Sequence, residues 1–156
     1  MAYNIVDLLG KLKTLEENAF HMYSSMASAE GCPDIRLCTA AKVLAKEEER
    51  HTRFYRRLIE QAEQQPETEI DFSIYDKASS LVEGFRKMIV KPQVTSVQEL
   101  IQFAVEFEKD NVALLIDIRG RMVKREEDHI DFNYLTLTEL ILEEQKHVDM
   151  LKGFIK

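Results

Sequence analysis

An all-α fold, a bundle of four long helices, is what this sequence predicts, and three observations predict it. Glutamate is abundant, while only five glycines and three prolines interrupt 156 residues. Long segments repeat their apolar residues at steps of three and four, the period of a helix with one buried face. The prolines and the polar stretches around them divide the chain into long segments joined by a short, a long and a short connection.

Asn4 caps a first helix that runs to about Glu30 and is stopped by Gly31. "CPDI" opens a second, with Pro33 in its first turn, where a missing N–H costs nothing. That helix runs to about Gln64. The stretch that follows is polar at both ends and holds a shorter amphipathic piece, Tyr75 to Val90. Ser96 caps a third long helix, and Glu99 three residues on completes the pattern of a capping box. A turn falls within 120–131, and a fourth helix runs nearly to Lys156. Short links make antiparallel neighbours, so helices 1 and 2 form one hairpin and helices 3 and 4 another. The link of about 31 residues between helices 2 and 3 contains its own helix. At ~1.5 Å per helical residue and ~3.3 Å per extended one, it can cross a bundle ~40 Å long. A single domain over 1–156 is expected, and a chain of this size can bury a substantial core.

The net charge of −7 argues against nucleic acid, whose phosphates need a basic surface. No run approaches the roughly 20 apolar residues of a membrane span. The start, "MAYNIVDLLGKLKTLEE", lacks the basic head and long apolar block of a secretory signal. Cys32 and Cys38 do not make a C-x2-C pair. If Cys38 lies in the helix that Pro33 opens, the two sit too far apart, or point too differently, for an easy disulfide. Two reduced thiols in a cytoplasmic protein are therefore expected.

One stripe asks for an explanation. In "LAKEEERHTRFYRRL" the inward positions read Ala41, Leu44, Glu48, His51, Tyr55, Leu58, placing a carboxylate and an imidazole in the middle of an apolar face. Helix 4 repeats the arrangement with Leu137, Leu140, Glu144, His147, Leu151 and Phe154. A third E-x-x-H, Glu126/His129, sits in the charged turn "KREEDHID" and reads as solvated surface. Helix 1 supplies Glu16 on the stripe Leu8, Leu12, Glu16, Ala19, Tyr23, Met26, and helix 3 supplies Glu108 on Leu100, Ala104, Glu108, Val112, Leu115. Glu17 and Glu106 are the competing choices; Glu17 neighbours Lys13 and His21, and Glu106 lies on the far side of its helix from Glu108, so both read as outer positions. The halves also match one another. Residues 4–23 lie over 96–115, pairing Glu16 with Glu108, and 44–58 over 140–154, pairing Glu48 with Glu144 and His51 with His147. Counted from the two turns, all these groups fall at one level.

Four carboxylates and two imidazoles meeting inside an apolar bundle would cost several kcal/mol per uncompensated charge. Two divalent cations balance four carboxylates and give each side chain a bond. Iron or manganese suits oxygen-rich sites with one imidazole per ion, and zinc can enter. A Glu from each of two helices with Glu-x-x-His from the other two is the known pattern of di-iron carboxylate bundles. His21 lies off the Glu16 face and reads as surface. Tyr55 reads as packing, and Met22, Met26, Met88, Met122 and Met150 as core filler.

At these residues the chain resembles the rubrerythrin-like branch of the ferritin-like superfamily. "LEENAFHMY" is similar to that family's first-helix pattern through Glu16, Ala19 and Tyr23, while "LAKEEERH", "FAVEFEKD" and "LILEEQKH" resemble its second, third and fourth helices. The resemblance implies a ferritin-like four-helix bundle with two iron ions held by Glu16, Glu48, His51, Glu108, Glu144 and His147. It implies a Tyr23 hydroxyl just outside that set, and a homodimer. Asn111 stands where such proteins often have a further glutamate, and no cysteine-rich rubredoxin module is present. Reduction of hydrogen peroxide or dioxygen is the expected activity, with electrons from a separate donor such as a rubredoxin or a flavoprotein. Iron storage in a ferritin-like shell, or a metal-stabilised sensor or interaction bundle, are the alternatives.

Overall fold

The structure, a computed structural model, describes residues 3–28, 32, 34–66 and 69–155, apart from the side chains of 129 and 130. It is all-helical, with no strand among the described residues. Helix α1 (Ile5–Ala27) packs along α2 (Ile35–Glu63) as one hairpin. Helix α4 (Val97–Arg121) packs along α5 (Phe132–Lys152) as the other, joined through a 3-10 turn at Glu126–Ile130. Between the hairpins runs α3 (Phe72–Lys87), which lies against α1 and α4, and α2 also touches α4.

Local chemistry sets the ends. The Asn4 side chain accepts from the Asp7 amide at 3.1 Å, and the Asp7 carboxylate accepts from the Asn4 amide at 3.2 Å. This reciprocal box satisfies two orphan donors of the first turn. Ser96 accepts from the Glu99 amide at 3.1 Å, but the Glu99 carboxylate takes the Thr95 amide instead of closing the box on Ser96. Helix α1 stops earlier than its pattern suggests. The amide and hydroxyl of Ser28 both turn back on the Ser24 carbonyl, and a serine that bonds its own backbone ends helical order readily. Gly31 and Pro33, the expected stop and start, lie outside the described residues, as does Glu30. The observed N-cap of α2 is Asp34, whose carboxylate accepts from the Arg36 amide.

The cysteine expectation is overturned. Cys32 and Cys38 form a disulfide across a Cα–Cα distance of 6.6 Å, inside the range such a bond tolerates. Cys32 precedes the cap, so Cys38 lies in the first turn of α2, and helical side chains lean toward the N-terminus. The lean brings the sulfurs together, and the pairing removes the cysteine argument for a reducing compartment.

The core comes in two apolar clusters. One joins Leu8, Leu12 and Leu15 to Tyr55, Leu58, Leu115 and Leu137, with Tyr75, Ala78 and Val82 of α3 sealing its side. The other joins Ala19, Tyr23 and Met26 to Ala41, Leu44, Leu100 and Ala104. Along α1, α2 and α4 a glutamate falls between the members of the two clusters, Glu16, Glu48 and Glu108, while on α5 Glu144 lies between Ile141 and Val148 of the first cluster, ahead of Leu151 of the second. Met22 and Met26 are buried as core filler, and Met122 packs partly against the core. Met88 and Met150 do not: they are exposed, Met88 because it caps α3 beyond its buried face. Phe154 is also exposed, because α5 ends at Lys152 and its inward stripe ends with it.

Candidate metal centre

The layer between the clusters holds all six chosen side chains. Glu16, Glu48, His51, Glu108, Glu144 and His147 are each at most 2% exposed. His51 Nδ1 lies 3.5 Å from Glu16 Oε2, 3.6 Å from Glu48 Oε2 and 3.5 Å from Glu144 Oε1. His147 Nδ1 lies 3.3 Å from Glu108 Oε1, and the two imidazole rings stand edge-to-face with centroids 4.7 Å apart. Ligand-capable atoms of Glu48, His51, Glu108 and His147 all lie within 4.8 Å of one another, as do those of Glu16, His51 and Glu144. Ligands about 2.1 Å from a shared ion stand roughly 3.0–3.4 Å apart, so the observed spacings are close to a coordination sphere. These buried groups could hold a metal ion.

The unpaired polar atoms of this layer are the donor types that a metal ion takes. Glu16 Oε2, both oxygens of Glu48 and of Glu108, Glu144 Oε2 and both ring nitrogens of each histidine have no hydrogen-bond partner. A buried polar atom left unpaired costs ~1–3 kcal/mol, and native structures hold few of them. Ten crowded into one layer would be prohibitive without bonds of another kind. Oxygen and imidazole donors together suit first-row divalent ions.

Without an ion the groups share protons. Burial pushes the Glu48 carboxyl well up, and the neighbouring Glu16 adds to it. Burial and Glu48 raise Glu108, and burial and Glu108 raise Glu144. Burial also pushes Glu16 up, but the nearby Glu48 and the charge on His51 outweigh it and hold Glu16 well below the usual carboxylate range. Burial lowers His51, yet Glu144 and Glu16 prevail and lift it to about 10. Burial, helped by the charge on His51, takes His147 down to about 4. Without metal these shifts favour a charged Glu16 facing a charged His51, and favour the neutral forms of Glu48, Glu108, Glu144 and His147.

Comparison with family models finds no match, and no curated protein or solved structure matches the chain. The centre has to be read from its own residues.

The competing glutamates point away. Glu17 pairs with Lys13 at 3.4 Å on the surface, and Glu106 sits near Lys109 and Gln102. His21 is exposed. Glu126 is exposed in the 3-10 turn, and the His129 side chain lies outside the described residues. Tyr23 is fully buried with an unpaired hydroxyl, and its acidity is weakened by burial and then by Glu48, Glu108 and Glu16. Tyr55 is buried in the opposite cluster under the influence of the same carboxylates. Sequence reasoning missed an outer layer. Glu47 Oε2 stands 4.0 Å from His147 Nε2, and Arg50 ties Glu47 to Glu143 across α2 and α5. The glutamate runs "EEE" and "EE" gave a signal, but periodicity alone assigns their outer members to solvent. Asn111, which the sequence presents only as a departure from a family pattern, donates to Glu16 Oε1 at 3.2 Å.

Proposed function

We propose that this chain is a ferritin-like, rubrerythrin-like di-iron carboxylate protein that reduces hydrogen peroxide or dioxygen with electrons from a separate donor. One observation supports it above the rest: six fully buried ligating side chains from four helices converge with most of their polar atoms unpaired. In this reading Glu16 and His51 hold one iron ion and Glu108 and His147 the other. Glu48, which groups with His51, Glu108 and His147, and Glu144, which groups with Glu16 and His51, would complete the donor set. A ferrous pair bound there would supply two electrons together, enough to take hydrogen peroxide to two waters or dioxygen to the peroxide level, with protons from solvent and the separate donor restoring the ferrous pair.

The chain's own part is positional and electrostatic. Four helices fix the donors, so little reorganisation is needed on binding. The flanking clusters, with Leu12, Leu15 and Tyr55 on one side and Ala19, Leu44 and Ala104 on the other, keep bulk water from the centre. Glu47, about a quarter exposed, and Arg50 lie between His147 and solvent.

Iron titration of the metal-free chain should reach two ions per chain, and the ferrous form should turn over peroxide when given a reductant. Glu48→Ala should abolish that turnover while circular dichroism shows the helices intact. Undiminished peroxide reduction by that variant rejects the proposal. Sizing chromatography addresses the storage alternative, which requires an assembly far larger than a dimer.

A further inference from the structure

Asn111 breaks the internal symmetry of the centre. The overlay of residues 4–23 on 96–115 places it opposite Ala19, one turn beyond the respective glutamates Glu108 and Glu16. Both positions are buried, Ala19 at 0% and Asn111 at 2% exposure. If the position served only to fill space, an apolar residue would do in α4 as it does in α1. Asn111 instead sends its amide across to the other hairpin, donating from Nδ2 to Glu16 Oε1 at 3.2 Å. Its own Oδ1 has no partner. Burying an amide with half its capacity unpaired is costly, so the one bond it makes is the reason for it to be there.

That bond has a consequence for coordination. Glu16 Oε1 is engaged, and only Oε2, which faces His51 Nδ1 at 3.5 Å, is free to bind an ion. Glu108, its counterpart, has both oxygens unpaired. Building on the di-metal reading above, we propose that Asn111 is a positioning residue that confines Glu16 to one ligating oxygen. The two ion positions are thereby made unequal, and divalent ions load one before the other. A partner that orients a ligand typically changes metal affinity 10–100-fold when removed, and here the change is confined to the position Glu16 serves.

The test is a cobalt(II) titration of the full metal-free chain, followed by visible absorption and calorimetry. The wild type is expected to bind in two steps of unequal affinity. Asn111→Leu, of similar size without the donor, is expected to move one step by roughly 10–100-fold and leave the other in place, with altered cobalt absorption for that step alone. Asn111→Ala, which copies Ala19, offers the same readout should leucine not fit. A packing role would change metal-free thermal stability but neither step. Two equal steps in the wild type, or variants whose steps are both unmoved or both moved alike, overturn the assignment while the metal centre stands. No cobalt uptake by the wild type removes the metal centre, and this inference with it.

Discussion

Glu108 shows what a single side chain contributes and what it costs. Both of its oxygens are buried without partners, and burial, with Glu48 beside it, favours the protonated carboxyl in the metal-free chain. Replacing it by leucine removes an unsatisfied acid and restores the apolar stripe of α4. Buried polar groups of this kind cost ~1–3 kcal/mol, and apolar replacements are often neutral or stabilising. Glu108→Leu should therefore raise metal-free stability by about 1–3 kcal/mol, a few degrees in a melt with chelator present. The same variant should lose the stabilisation that metal gives the wild type. A lower melting temperature in chelator would mean the carboxyl is better satisfied than its surroundings indicate. At this scale the sequence was legible wherever an acid sat among apolar neighbours. Glu16 lies between Leu12 and Ala19, whereas Glu17 has Lys13 one turn away, and α1 turns them as that contrast requires. Glu47 was not legible. Its approach to His147 depends on how α2 and α5 sit side by side, and no property of its own helix reports that.

Among the elements, the caps were readable because their chemistry is local. Asn4 and Ser96 stand where polar acceptors precede apolar periodicity, and both accept amides from the third helical residue. Asn4→Ala should cost ~1 kcal/mol in a denaturant melt, through fraying of the turn that leads to Leu8 and Leu12. Equal midpoints for the two proteins would show that packing alone holds the start of α1. The ends were harder. Met88, Met150 and Phe154 continue an apolar period that the helix or its partner has already abandoned, so they come out exposed. The Cys32–Cys38 bond escaped because it depends on where within one turn α2 begins, at Ile35 after its Asp34 cap. In the chain-entropy picture so short a loop contributes about 2 kcal/mol. Thiol titration of the unfolded, unreduced chain should find neither cysteine, and reductant should lower the melting temperature. Two reactive thiols before reduction would refute the pairing.

For the molecule as a whole, the centre sets a conflict between folding and protonation that pH should expose. In the metal-free fold Glu48, Glu108 and Glu144 keep their protons above the usual 4.5. Over that interval the folded chain binds more protons than the unfolded one, so stability falls as pH rises. His51 acts in the same sense between 6.5 and about 10. Its contribution is complete below 6.5 and is lost on the way up, by several kcal/mol in order of magnitude. His147 opposes them only between about 4 and 6.5, where the unfolded imidazole takes a proton that the buried one refuses. Above 6.5 nothing in the centre offsets the loss. A metal ion bound by these side chains would reverse the slope, because ligands bind without their protons and affinity grows with pH. Stabilisation by a bound ion follows its free concentration over its dissociation constant. The chelator-treated chain should therefore melt at progressively lower temperature from pH 6.5 to 9, while the iron- or cobalt-loaded chain holds or gains. The two curves should diverge. Parallel curves over that range would mean that protons and metal do not compete for these six side chains, and the layer between the two apolar clusters would then need another explanation.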